Sequence, residues 1–297
     1  MSRNNESRLG APPPADMPLN LSNENFSNQN NVNGPDPTVN PLSFAVPTEM
    51  VELPSKGKFY PENHPLHNVG ELEIRYMTAK DEDVLNSKSL LKKGIAIDRF
   101  LQGIIVDKKV KVDSLLIGDR NAIIVAARIT GYGEEYSTRV TCPSCMTTSN
   151  HDFDLEEALE VQSGEDTEGM EIEKTADGTF MITLPRTSVE TEVRLMSGND
   201  EKALLKMSES KKKHNLPDAV LTDQFKRFVI SVNGNTDKDL IYKFVDLMPA
   251  LDARYLRKAY AQMIPNVSLK HSFTCEACDY DQIIDIPFTV DFFWPGR

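Results

Sequence analysis

The sequence predicts an α+β fold: a helical core, antiparallel β-hairpins and a split, zinc-ribbon-like module. Three observations carry this. Apolar residues recur at helical spacing between 78 and 131 and again between 198 and 264, with strand-like alternation on either side. Turn residues separate paired strand-like runs, as at Asp177-Gly178. Every cysteine falls in one of two C-x-x-C pairs, "TCPSC" with Cys142 and Cys145 and "TCEAC" with Cys275 and Cys278.

Residues 1–45 are rich in Asn, Ser and Pro and poor in large apolar side chains. Too little burial is on offer to offset the entropy of ordering, so this segment reads as a disordered tail. A segment that orders on a partner is the alternative. Residues 46–297 read as a single globular domain. Within it, 132–155 and 266–295 form the split zinc ribbon, 156–197 an acidic stretch with a β-hairpin insertion, and 198–264 a helical part.

The domain opens with a short strand at 50–53, then turns marked by Pro, Gly and Asn. "ELEIRYM" (71–77) alternates as a strand. Thr78 is placed to cap the next helix, with Asp81 in the capping-box position. A helix over 94–106 puts Ile97, Leu101 and Ile104 on one face. The next helix is expected to start at Asp119 as N-cap and stop at Gly131, apolar over much of its surface and central in the core. Arg120 and Arg128 on it need partners, because a guanidinium near a core is costly to leave unpaired.

Strands at 136–141 and 147–154 make a hairpin whose tip is the first C-x-x-C. "MEIEK" and "TFMITLP" make another, and "VETEVRLM" a further strand. Helices follow: "NDEKALLKMSESKKK", capped by Asn199 or Asp200; "PDAVLTDQFKRFVISV", stopped by "NGN"; "DKDLIYKFVDLM"; and "PALDARYLRKAYAQM" with Pro249 at its start. The chain then returns to strand, C-x-x-C turn, strand and an aromatic end. No internal repeat is evident beyond the two cysteine hairpins.

A net charge of −12 argues against a general nucleic-acid binder. No run of about 18 apolar residues exists to span a membrane. The leading residues show no apolar signal region, so a reducing cytosol is expected, where close cysteine pairs are metal ligands or catalytic thiols more often than disulfides.

Zinc takes four tetrahedral ligands and suits thiolates. Two C-x-x-C hairpin tips brought together supply Cys142, Cys145, Cys275 and Cys278, one structural zinc per chain. The spacing between the pairs is unusually long for such a site. A redox pair is the alternative, but it calls for a helix directly after the motif, and none is expected here. Reduced, unligated cysteines are another. His151 and His271 lie nearby and read as ordinary strand residues. Four Cys ligands close a site, so a zinc here is structural and not catalytic.

No P-loop, G-x-G-x-x-G, G-x-S-x-G or H-E-x-x-H motif is present, and no enzyme is expected. The carboxylates of 156–173 read as a solvated charge run, and "SKKKHN" (210–215) as a helix end. Phe292, Phe293 and Trp294 are adjacent. On a strand they cannot all enter one core, so they are either core residues or an aromatic anchor at a protein interface.

Several segments together resemble one family. They are "LPSKGKFYP" (53–61), "MTAKDEDVL" (77–85), "LLKKG" (90–94), "LLIGDRNAIIVAARITGYG" (115–133), "TCPSC" and the terminal "FFWP". The chain resembles the baseplate hub subunit and hub-assembly proteins of T-even-like contractile-tailed phages, over roughly 50–155 and 240–297. The resemblance implies a non-enzymatic protein of tail morphogenesis. Its partners would be other baseplate hub and tail proteins, with no nucleic acid and no membrane. It would sit in the host cytoplasm during assembly, and in the virion tail baseplate if it is a structural component. An assembly chaperone absent from the mature virion is the second reading, and a zinc-ribbon nucleic-acid binder the third.

Overall fold

The computed structural model describes residues 46–164, 169–217, 219–286 and 290–293. The expected tail at 1–45 and Trp294 lie outside them. Helix and sheet are mixed, and every strand pairing among the described residues is antiparallel. No helix among them is long and apolar enough to cross a membrane.

The described residues begin with β1 (Thr48–Glu52) and β2 (Glu71–Arg75), then α1 (Ala79–Asn86), α2 (Lys88–Lys92), α3 (Ala96–Ile104) and α4 (Ile117–Tyr132). The hairpin β3 (Glu135–Thr141) and β4 (Thr148–Asp154) carries the first cysteine pair. A single turn, α5 (Leu155–Ala158), and β5 (Leu159–Gln162) follow. The middle sheet comprises β6 (Ile172–Lys174), β7 (Phe180–Thr183), β8 (Glu190–Val193) and, after α6 (Gly198–Lys213) and α7 (Val220–Phe228), β9 (Val229–Val232), in the order β6-β7-β8-β9. Helices α8 (Lys238–Leu247) and α9 (Ala250–Met263) lead to the second cysteine hairpin, β10 (Asn266–Thr274) and β11 (Asp281–Asp285).

Local physics accounts for most element starts. Asp81 accepts hydrogen bonds from the Thr78 N–H (2.9 Å) and hydroxyl (2.6 Å), which anchors the first turn of α1. Gly178 takes φ +75 in the β6–β7 turn, a conformation that glycine adopts without strain. Helix α4 is central, with Ala122, Ile123, Val125 and Ala127 buried. Its Gly118 is required by close approach: a Cβ there would lie 1.8 Å from the Pro265 carbonyl oxygen.

Four expectations need correction. Helix α4 starts two residues earlier than Asp119, with Leu116 as its N-cap, and ends at Gly133 (φ +83) instead of Gly131. Asp119 sits in the first turn because its carboxylate is engaged by distant donors. Gly131 is an interior residue against Met77. Ser197, not Asn199 or Asp200, caps α6. The segment 217–232 is not one helix: it breaks at Val229, where the β-branched "VISV" joins β8 as β9. The acidic stretch after residue 155, expected only as a solvated charge run, also contributes a strand: β5 pairs with β10.

The larger finding is a repeat. The strand pairs β1–β2 and β7–β8 share one register: Glu52 faces Glu71 as Thr183 faces Glu190, and Val51 faces Leu72 as Ile182 faces Thr191. Each pair runs into a helix through matching sequence, "EIRYMTAKDE" (73–82) and "EVRLMSGNDE" (192–201). In each, the arginine grips the aspartate of the following first turn. Arg75 donates to Asp81 at 2.6 and 2.8 Å, and Arg194 to Asp200 at 2.8 and 2.7 Å. Each repeat then reaches a helix with a buried first-turn aspartate, Asp119 in α4 and Asp252 in α9. Asp119 accepts from the Ser55 N–H and Oγ in "LPS" after β1. Asp252 accepts from the Arg186 and Thr187 N–H groups and Thr187 Oγ1 in "LPRT" after β7. The spacing from Asp119 to Cys142 equals that from Asp252 to Cys275. The described residues thus hold two copies of one core unit, a strand pair, a gripped helix start and an aspartate-anchored helix, each ending in a cysteine hairpin.

Candidate metal centre

The two hairpins match bond for bond. The Cys142 N–H donates to the Thr147 carbonyl and the Met146 N–H to the Cys142 carbonyl, both at 2.9 Å. In the second, the Cys275 N–H donates to Tyr280 and Asp279 to Cys275, again at 2.9 Å. Met146 (φ +60) and Asp279 (φ +53) take the left-handed conformation that turns the chain back after the second cysteine. Each C-x-x-C therefore presents two sulfurs from a closed turn.

Edge-to-face contacts hold the hairpins together. The His151 ring lies 4.7 Å from Phe273, and Phe153 lies 5.3 Å from His271. Both histidines serve this packing and neither belongs to the sulfur cluster. Cys142 and Cys275 are buried with Phe273, while Cys145 and Cys278 are exposed.

The four Sγ atoms all lie within 4.8 Å of one another. Cys142 and Cys278 are 3.8 Å apart, and Cys145 and Cys275 3.7 Å. A disulfide needs about 2.05 Å, so neither contact is one. Four thiolates at about 2.3 Å from one tetrahedral metal have edges of about 3.8 Å, which these contacts match. The protonation pattern fits the same donor set. The Cys145 thiol is held down to about 6, first by the Thr147 hydroxyl and backbone N–H. At Cys278 a backbone hydrogen bond from Tyr280 lowers the value, yet Cys145 and the other sulfurs push it up to about 12. Clustered thiols resist ionising together, and a dication among them removes that opposition. The arrangement is compatible with a closed metal site. With four protein ligands it leaves no open position for substrate.

Exchange of segments between the repeats reinforces the junction. After the first hairpin the chain crosses to the second repeat as β5, which pairs Leu159 with Leu269 on β10. After the second hairpin, a short 3-10 turn at Val290–Phe293 lies against the first repeat. Phe292 and Phe293 are both buried there, at 1% and 2% exposure. The strand geometry expected for them does not apply, because a 3-10 turn lets neighbouring rings enter one core. Phe292 meets Tyr136 edge-on at 5.3 Å, and Phe293 meets Phe100 at 5.3 Å.

Arg128 locks this segment. Fully buried, it donates to the carbonyls of Phe292 (2.8 Å), Gly133 (2.6 Å) and Glu135 (2.8 Å) and lies over the rings of Tyr132 and Tyr136. Burial pulls its pKa down, and the two tyrosines oppose this. Arg120 finds carboxylates instead, Asp98 at 2.8 Å and Glu201 at 2.5 Å, so the helices α3, α4 and α6 are tied across the repeats.

The sequence singles out the four cysteines, gives Asp119 only as an N-cap, and gives no reading of Asp252 or of the two Arg–Asp grips. The grips alone have a sequence signal, the paired "E-[IV]-R-x-M-[ST]-x-x-D-E" segments that hold Arg75 with Asp81 and Arg194 with Asp200.

The family described as T4 bacteriophage base plate protein matches residues 46–294. That span includes both repeats and all four cysteines. Searches of curated proteins and of solved structures found no match. The match covers most of the chain, and the chain belongs to the T4 bacteriophage base plate protein family.

Proposed function

We propose that this protein is a non-enzymatic component of the baseplate hub of a contractile phage tail, acting through protein–protein contacts. The observation that carries this is the family match across both repeats. A closed four-sulfur cluster supports a scaffolding role, because it offers no open coordination position. In this reading Cys142, Cys145, Cys275 and Cys278 hold one structural zinc, and the two cysteine hairpins form a split zinc ribbon. The zinc would fasten the end of one repeat to the end of the other, a joint that so small a hydrophobic cluster gains little from burial alone. Residues 46–297 act as one domain, and residues 1–45 as a tail that orders on neighbouring hub proteins, its ordering cost deferred until binding.

Quantitative mass spectrometry of purified virions and of the baseplate intermediates that precede them tests the role. A hub component appears in both at constant stoichiometry. An assembly chaperone appears in the intermediates and is absent from virions, and that result would replace the hub reading.

A further inference from the structure

The repeat shows what one sheet lacks. In the second repeat, β7 is paired on both edges, by β8 on one side and β6 on the other. Its counterpart in the first repeat, β1, pairs with β2 alone among the described residues. The direction of the free groups follows from the ladder. The Leu53 N–H donates to Gly70, and Tyr76 donates to Pro47, so Pro47, Glu49, Val51 and Leu53 face β2. Thr48, Met50 and Glu52 therefore direct their N–H and C=O groups outward. An unpaired row of this kind is a template for another strand.

That edge opens on a groove of about 310 Å³. Its floor is the apolar side of α4, with Val125, Ala126 and Ile129, and its far wall is β5 with Val161. Met50 and Val161 are more than half exposed on its rims, at 55% and 57%. Two carboxylates, Glu49 and Glu156, line the same groove. One oxygen of Glu49 is buried without a hydrogen-bond partner among the described residues. Burial first, and the charge of Glu156 second, raise the Glu49 pKa. Among the described residues the groove thus combines apolar walls, a strand edge with no partner strand and two neighbouring carboxylates.

We propose that the outer edge of β1 docks an extended segment of a neighbouring baseplate protein, which adds as a strand in the place β6 takes in the second repeat. The segment has apolar residues for the α4 floor and a Lys or Arg to meet Glu49 and Glu156. Main-chain pairing supplies affinity in this mode and the side-chain pockets supply specificity. The proposal rests on the reading of the chain as a baseplate component.

Hydrogen–deuterium exchange on the full chain, free and within isolated baseplate intermediates, tests it. The Met50 and Glu52 amides are expected to exchange fast in the free chain and to slow at least tenfold on assembly. Protection already present in the free chain overturns the proposal: if concentration-independent, the chain's own leading segment covers the edge, and if concentration-dependent, a second copy does. Fast exchange in the assembled state overturns it too, and leaves the baseplate reading intact. Absence of the chain from every intermediate instead removes the baseplate reading itself. Two variants complete the test. Met50→Pro deletes an outward N–H without touching the β1–β2 ladder, and Glu49→Lys places a cation where the partner's would lie. Both should keep the wild-type melting temperature while co-sedimentation with baseplate intermediates falls at least tenfold; wild-type co-sedimentation by the folded Glu49→Lys protein contradicts the proposal.

Discussion

Asp119→Ala is the substitution whose cost follows most directly from the geometry. The carboxylate is fully buried and accepts three hydrogen bonds: the Ser55 N–H at 3.0 Å, Ser55 Oγ at 2.6 Å and the Tyr60 hydroxyl at 2.7 Å. Ser55 and Tyr60 are themselves buried, so water cannot replace the lost acceptor. Each orphaned buried donor costs about 1–3 kcal/mol, so three put the loss between about 3 and 9 kcal/mol. That is a large share of the roughly 5–15 kcal/mol that holds a domain folded. The matching substitution, Asp252→Ala, should cost about 2 kcal/mol less. Its donors come from Arg186 and Thr187, which are exposed enough for water to step in. Guanidinium unfolding followed by circular dichroism, with metal loading held constant, reads both. Asp119→Ala should lower the melting temperature by on the order of 10–20 °C. A loss below about 1 kcal/mol for Asp119→Ala, or a larger loss for Asp252→Ala, would refute the assignment of these aspartates as unequal anchors of equivalent loops.

Further outcomes follow from the same structure. Burial alone would raise the pKa of Asp81 and of Asp200, but hydrogen bonds from Arg75 with Thr78, and from Arg194 with Ser197, lower both below 3.8. Their contribution to stability is therefore present above pH 3.8 and lost as pH falls through the folded-state values. The stability gap between wild type and Asp200→Asn should close in acid melts, and a gap constant from pH 7 to pH 2 would contradict the grip. Arg128→Met leaves three carbonyls without their donor and should cost about 2–4 kcal/mol. Limited proteolysis should then cut first near residues 290–293, and unchanged resistance would contradict the lock. Chelation of bound metal should release the two cysteine hairpins, seen as faster amide exchange at 139–149 and 272–282 with β1 and β2 unaffected. Uniform exchange with and without chelator would mean that the sulfurs hold nothing.

Local chemistry was legible in the sequence, and long-range engagement was not. The β3–β4 hairpin and the Asp177-Gly178 turn could be placed to within a residue or two because turn residues and alternation are local signals. The capping position of Thr78 was readable for the same reason. Asp119 misled because aspartate suits an N-cap and a first-turn position equally well. What fixes it two residues inside α4 is Ser55 and Tyr60, far away in sequence. The break at Val229 was hidden because "QFKRFVISV" keeps a helical spacing of apolar residues, while its last four residues favour the sheet that β8 offers. The repeat is hard to see in the sequence because an insertion of different length separates the strands in each copy, residues 53–70 in one and 184–189 in the other. The cysteine pairs were visible, yet only the fold shows their sulfurs within 4.8 Å of one another.

X-ray absorption at the zinc K-edge, on the whole chain purified without added metal, decides whether the four cysteines hold a metal. About one zinc per chain with four sulfur neighbours at about 2.3 Å is expected. Metal-free protein, or a shell containing nitrogen or oxygen, would contradict it.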